Sequence, residues 1–177
     1  DVNRSYDRFT VEPEGIRFGL VAIKNIGRGF IQSVVREREQ GGSFTSLQDF
    51  CDRMYDCGDM NKRAVENLIR SGAFDSMGAR RSQLLAVYEK VLDGIGNVRR
   101  RNVEGQIDFF GMSAANSTVE TVVMPDIPEF TATERMHMEK ETTGLYLSGH
   151  PMVGYRAAAR SSGAVTLNEI LEDVSSE

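Results

Sequence analysis

Two stretches of this chain hold residues whose types and spacing could do chemistry on a partner. The first is Lys24-Asn25-Ile26-Gly27-Arg28-Gly29, where an asparagine and two glycines tolerate a tight backbone turn, one isoleucine supplies an apolar plug, and two cations flank the main chain. A turn of this kind at a helix start aims several peptide N–H groups in one direction, and such a cluster binds anions. It would hold phosphates without reading bases, so binding is expected to be indifferent to sequence and sensitive to salt. The cue recurs at Asn61-Lys62-Arg63, where two cations stand at a helix start, against the macrodipole unless an anion is to be held there. Each motif taken alone is equally an ordinary helix junction with solvated cations.

The second stretch is Gln106-Ile107-Asp108-Phe109-Phe110, set in polar, irregular text. No amphipathic element around it would bury two adjacent aromatics, so the run suits a groove on another protein. Gln106 would hydrogen-bond at the rim, Ile107 and Phe110 would anchor, and Phe109 would lie beside them. Each anchor stabilises by about 1.5–3 kcal/mol when buried, and ordering the segment takes back several, which leaves a weak, useful affinity. The alternative is that Phe109 and Phe110 fold back onto their own domain.

The elements that must position these groups follow from periodicity. Tyr6, Phe9 and Val11, the turn Glu12-Pro13-Glu14-Gly15, then Ile16, Phe18 and Leu20 predict a β-hairpin. A helix is predicted over about 29–40, closed by Gly41-Gly42. Ser46 with Asp49 caps a second, whose Leu47, Phe50, Cys51 and Met54 face inward. Asn61 caps a third, with Val65, Leu68 and Ile69 inside and Gly72 at its end. A fourth is predicted over about 80–93 on the stripe Leu84, Leu85, Tyr88, Val91 and Leu92. Gly94-Ile95-Gly96 then predicts a flexible joint, with Arg99-Arg100-Arg101 free to touch a phosphate backbone, and irregular text follows to about 132. Helix signals return over 131–141, closed by Gly144, and Thr166 with Glu169 opens a last helix bearing Leu167, Ile170, Leu171 and Val174.

Composition narrows the function classes. The net charge is -5, yet residues 1–119 hold 17 Lys or Arg against 16 Asp or Glu while 120–177 hold 4 against 10, so overall acidity does not argue against a nucleic-acid face in the first part. Cys51 and Cys57 with the isolated His137 and His150 make no zinc pattern, and Cys51 is expected to be a reduced packing residue. Asp49, Asp52, Asp56, Asp59 and Glu66 fall on caps, turns and outer faces, with no paired carboxylates on a strand to hold catalytic metals. No apolar run approaches the ~18 residues a bilayer needs, and with no signal peptide the expected location is the cytoplasm. A chain that opens on Asp1 with no initiator methionine is expected to be a piece of a longer protein.

Ile16-Arg17-Phe18-Gly19-Leu20 through Ala22-Ile23-Lys24-Asn25-Ile26-Gly27, Ser46-Leu47-Gln48-Asp49-Phe50-Cys51, Asn61-Lys62-Arg63 through Ile69, Ser71-Gly72-Ala73-Phe74-Asp75, and Glu141-Thr142-Thr143-Gly144-Leu145-Tyr146-Leu147-Ser148-Gly149-His150-Pro151 together resemble the bacterial replicative DNA polymerase III alpha subunit, in the region after its palm and fingers. The resemblance implies a mainly α fold: a tandem helix-hairpin-helix bundle with a short N-terminal β-hairpin and an irregular C-terminal linker region. It implies the end of the fingers at 1–20, a duplex-DNA-binding helix-hairpin-helix domain at 21–95, a linker with a sliding-clamp-binding motif at 96–130, and a connector toward an OB-fold domain at 131–177. Residues 106–110 resemble the family's clamp-binding pentapeptide, with Phe109 where an aliphatic is commoner, and Asn25 stands for the usual first-hairpin glycine. The implied partners are double-stranded DNA, the sliding clamp (beta subunit) and other polymerase III holoenzyme subunits. The family is a nucleotidyltransferase whose magnesium lies in the palm, which no segment here resembles, so this stretch is expected to have no catalytic residue, metal or cofactor. The alternatives are a scaffold between polymerase domains with little DNA contact, or a helix-hairpin-helix DNA-repair subunit.

Overall fold

The computed structural model describes residues 1–13, 15–57, 60–103 and 122–174. Its N-terminal hairpin is shorter than the alternation suggests. Strands β1 (Thr10–Glu12) and β2 (Gly15–Arg17) pair antiparallel with Thr10 opposite Arg17, Val11 opposite Ile16 and Glu12 opposite Gly15. Val11 and Ile16 are exposed, so neither face of the ribbon is buried enough to extend it. Phe9 packs edge-on against Phe18 with centroids 4.8 Å apart, and the Arg17 guanidinium pairs with the Glu12 carboxylate across the ribbon.

Four helices build the core. They are α1 (Arg28–Gly41), α2 (Leu47–Met54), α3 (Lys62–Arg70) and α4 (Arg81–Val103). Their starts and stops are local chemistry. Ser46 Oγ accepts the Asp49 N–H at 3.1 Å, while Asp49 reaches back to accept the Thr45 N–H at 2.9 Å. After α3, Gly72 adopts φ 78°, which lets its N–H donate to the Ile69 carbonyl at 3.0 Å and the Ala73 N–H donate to the Leu68 carbonyl at 2.9 Å. The pair of bonds satisfies orphan carbonyls and turns the chain so that Phe74 enters the core. There the Phe50 ring meets Phe44 at 4.9 Å, Phe74 at 5.0 Å and Phe30 at 6.4 Å, all edge-on. Cys51 is fully buried and unbonded, and burial pushes its thiol up to about 12, consistent with a packing role.

The fourth helix corrects the expected joint at 94–96. α4 does not stop near 93; it passes through Gly94 and Gly96 to Val103. The reason is close packing. Ile95 is fully buried, and a Cβ on Gly96 would sit 2.7 Å from the Tyr55 hydroxyl of the turn after α2. Gly96 is therefore a contact surface rather than a break. Arg99 is likewise not free: it pairs with Asp52 at 3.2 Å and with Asp56, and lies over the Tyr55 ring. The buried stripe is Leu84, Val87, Val91, Leu92 and Ile95, while Leu85 and Tyr88, expected inside, are half-buried at its edge.

Beyond residue 121 the chain returns to this core. Gln83 donates to the Pro125 carbonyl at 2.8 Å, and the Glu129 carboxylate accepts the N–H groups of Arg81 at 2.8 Å and Ser82 at 3.1 Å. A remote glutamate thus caps α4. Helix α5 (Ala132–Thr143) follows, opened by a reciprocal box between Thr131 and Glu134 and ended at Gly144 with φ 81°. It carries Glu139, which has no exposed surface. Its carboxylate accepts from the Arg81 guanidinium at 2.9 Å, the Leu147 N–H at 2.8 Å, and the Ser148 N–H and hydroxyl at 2.8 and 3.1 Å. Burial alone would push this carboxyl up, but those four donors hold it below its ordinary value. A 3-10 stretch (Pro151–Tyr155), α6 (Arg156–Ser161) and α7 (Leu167–Val174) complete the chain with Met152, Val153, Tyr155, Leu167 and Leu171 exposed. Among the described residues no helix is long and apolar enough to cross a membrane.

Two predictions test these features. Because the folded carboxyl of Glu139 is depressed, its stabilisation is complete above the ordinary glutamate range of about 4.3 and is lost as pH falls through the folded value. Glu139→Gln is expected to cost about 3–5 kcal/mol at neutral pH and to flatten the acid side of a urea-midpoint profile. In α4, Gly94→Ala is expected to stabilise by about 0.5–1 kcal/mol, since nothing lies within 4 Å of the added methyl, whereas Gly96→Ala, placed against Tyr55, forfeits or reverses that gain in thermal melts.

Candidate nucleic-acid interface

The first corner is a single 3-10 turn (Leu20–Ala22), a bend through Ile23–Gly27, and the start of α1. Ile23 and Ile26 are buried, so the isoleucine plug holds the bend to the core as its sequence suggests. Asn25 is the one non-glycine at positive φ among the described residues, at 60°. This conformation suits a short polar side chain and strains most others. Gly27, by contrast, is the extended cap of α1 at φ -73° and makes no use of positive φ. The bend is clamped on its inner side by two bonds: the Lys24 N–H donates to the Thr142 carbonyl of α5, and the Asn67 amide of α3 donates to the Lys24 carbonyl, both at 2.8 Å.

The outer side is different. Lys24, Asn25, Gly27, Arg28 and Gly29 are exposed, the N-cap Gly27 has no side chain with which to cap α1, and the first turn contains no acidic residue. The first-turn residues Arg28 and Gly29 thus lie exposed at the positive end of the helix, with Lys24 beside them, while Phe30 is buried. The Arg28 guanidinium lies 3.7 Å from the half-buried Asp7 carboxylate, a long and partly exposed pair of little weight.

The second corner is built otherwise. Asn61 caps α3 by accepting the Ala64 N–H at 2.9 Å. The Lys62 ammonium meets Asp93 at 3.0 Å and Glu89 at 3.5 Å, both on α4, and its hydrogen bond to Asp93 holds its pKa above the ordinary value. So the cation at this helix start already has intramolecular partners. Arg63 is exposed one residue on. An open cleft between the corners is lined by the cations Lys24, Arg63 and Arg70 and the carboxylates Glu66 and Glu141, together with Asn25, Asn67 and Thr142.

Sequence reasoning passed over Asn67 and Thr142. Asn67 carried a signal, since a poor helix former sits beside the buried Leu68 and its amide must then find a partner. The carbonyl of Thr142 carried none. Residues 106–110, Gln106, Ile107, Asp108, Phe109 and Phe110, lie outside the described residues.

Asn25→Gly is expected to leave stability and the corner intact, while Asn25→Val costs about 1–2 kcal/mol. Asn67→Ala leaves the Lys24 carbonyl unpaired at a cost of about 1–3 kcal/mol. Chemical denaturation of the three variants checks the ranking.

A family model described as a helix-hairpin-helix motif matches residues 1–84. The chain is 40% identical over 167 residues to the DNA polymerase III subunit alpha of Deinococcus radiodurans, covering 90% of this chain and 12% of that protein. It is 37% identical over 177 residues to the subunit of the same name in Pseudomonas aeruginosa, covering 90% and 15%. Against the Thermus aquaticus subunit it is 37% identical over 174 residues, covering 98% and 14%. The chain thus spans only 12–15% of the length of these relatives.

Proposed function

Since this chain belongs to the DNA polymerase III alpha-subunit family, as its helix-hairpin-helix region, we propose that it is a non-catalytic, duplex-DNA-binding part of a replicative polymerase. The observation that carries this reading is the start of α1, where Gly27 offers no capping side chain and the first turn holds no acidic residue, near a cleft lined by Lys24, Asn25 and Arg63. Peptide N–H groups at Gly27 to Gly29 would donate to phosphate oxygens of one strand, and Lys24, Arg28 and Arg63 would add charge. None of these groups reaches a base edge by such contacts, so the grip suits an enzyme that must advance along any sequence. Catalysis and its magnesium would belong to other parts of the polymerase.

The run Gln106 to Phe110 would dock the sliding clamp. With the clamp around the duplex that the corners hold, each weak contact raises the effective concentration of the other, and residence on DNA lengthens without either being tight. Other polymerase III subunits would be reached through the assembled enzyme.

One observation favours a second reading. Arg28 and Lys62 each lie against a carboxylate of the chain itself, as they would in a scaffold that fixes geometry between polymerase domains and barely touches DNA.

The two readings part on salt. Duplex binding is expected to weaken as salt rises, with a log–log slope that becomes shallower by about 0.9 for each phosphate that a variant no longer neutralises. Lys24→Gln with Arg63→Gln is expected to lower affinity equally for unrelated sequences in a fluorescence-anisotropy titration; no binding at low ionic strength supports the scaffold. Phe109→Ala with Phe110→Ala is expected to abolish clamp binding by the chain, and undiminished affinity defeats the docking role.

A further inference from the structure

The cleft between the corners holds a further cation. Arg70, on the last turn of α3 and on the same helix as Arg63, lines it together with Lys24 and Asn25. Its guanidinium is not idle. It pairs with the Glu141 carboxylate of α5 and lies 3.6 Å from Glu66 one turn back on α3. Both carboxylates also line the cleft, which therefore brings together Lys24, Arg63 and Arg70 with Glu66 and Glu141.

We propose that Arg70 is a phosphate ligand held in reserve: it joins Lys24 and Arg63 on the duplex backbone when a phosphate displaces Glu141, and Glu141 thereby sets how weakly the cleft binds DNA. This rests on the duplex-binding reading above.

The physical grounds are geometry and exposure. Glu141 is a loose partner, with its side chain 64% exposed, whereas Arg70 is 28% exposed and so is held in place by its surroundings. A solvated carboxylate on a flexible stem gains little from an exposed pair. A phosphate diester in the same cleft would face three cations at once, and a guanidinium can present two parallel N–H donors to it. The exchange moves no covalent bond: one anion leaves the guanidinium and another replaces it. The competing carboxylates make binding shallow, which suits a contact that must be released at each step along the duplex.

The test uses the 177-residue chain and a short mixed-sequence duplex, with affinity measured by anisotropy over a range of salt for wild type, Glu141→Gln, Arg70→Gln and the double variant. Circular dichroism melts establish that each is folded, and Glu141 is exposed enough for its amide to be accommodated. Glu141→Gln is expected to bind about fivefold tighter, with a log–log salt slope steeper by up to about 0.9. In the Arg70→Gln background the same change is expected to improve affinity little, so the two effects are not additive. An equal improvement from Glu141→Gln with and without Arg70, or none in either, overturns the proposal. If Lys24→Gln with Arg63→Gln still weakens binding in that case, the duplex-binding reading stands and only the role of Arg70 falls. Absence of binding by every variant overturns both.

Discussion

A carboxylate with no access to water must find all its partners inside the protein, and Glu139 does so by drawing four donors from three residues. Arg81 opens α4, Leu147 and Ser148 belong to the segment after α5, and Arg81 in turn reaches Asp75 beyond the end of α3, at 2.6 Å. Desolvating either charge alone would cost several kcal/mol, so the position of α5 against α3 and α4 is fixed by the need to keep the pair together. Through that placement the Thr142 carbonyl is brought to the Lys24 N–H. The shape of the outward-facing bend at Asn25 is thus inherited from a charge pair buried behind it.

The two corners are built differently despite similar text. At the first, the Lys24 N–H and carbonyl are paired on the inner side, and the glycine that opens α1 has no side chain to cap it. At the second, an asparagine closes its own helix and Lys62 is drawn to α4. The likeness between them lies in where they sit, on either side of one cleft, more than in how each is capped.

What could be read in advance is what is encoded within a few residues. Ser46, Asn61 and Thr131 cap the helices they precede, Gly72 and Gly144 end the helices they follow, Asn25 takes the left-handed turn, and Ile26 is the plug. What could not be read depends on residues far apart in the chain. Gly94 and Gly96 look like a break until Tyr55 is found lying against the helix, 41 positions before Gly96. Glu129 looks like a loop residue until Arg81 and Ser82 turn out to need it. Lys62 looks unpartnered in the sequence, and its pairing with Asp93 and Glu89 comes from α4. Local rules cannot see partners that only folding assembles.

The capping of α4 by Glu129 has a mechanical side. Tension applied to the chain just before Val122 would meet in turn the Val122 N–H bond to Gln48, the Gln83 bond to the Pro125 carbonyl, the Arg80 bonds to Asp126 and the Ile127 carbonyl, and then the Glu129 bonds to Arg81 and Ser82. Apart from the first, these contacts come from Arg80 to Gln83 at the start of α4, so such a pull would bear on that end of the helix ahead of α5 and of the bend at Asn25.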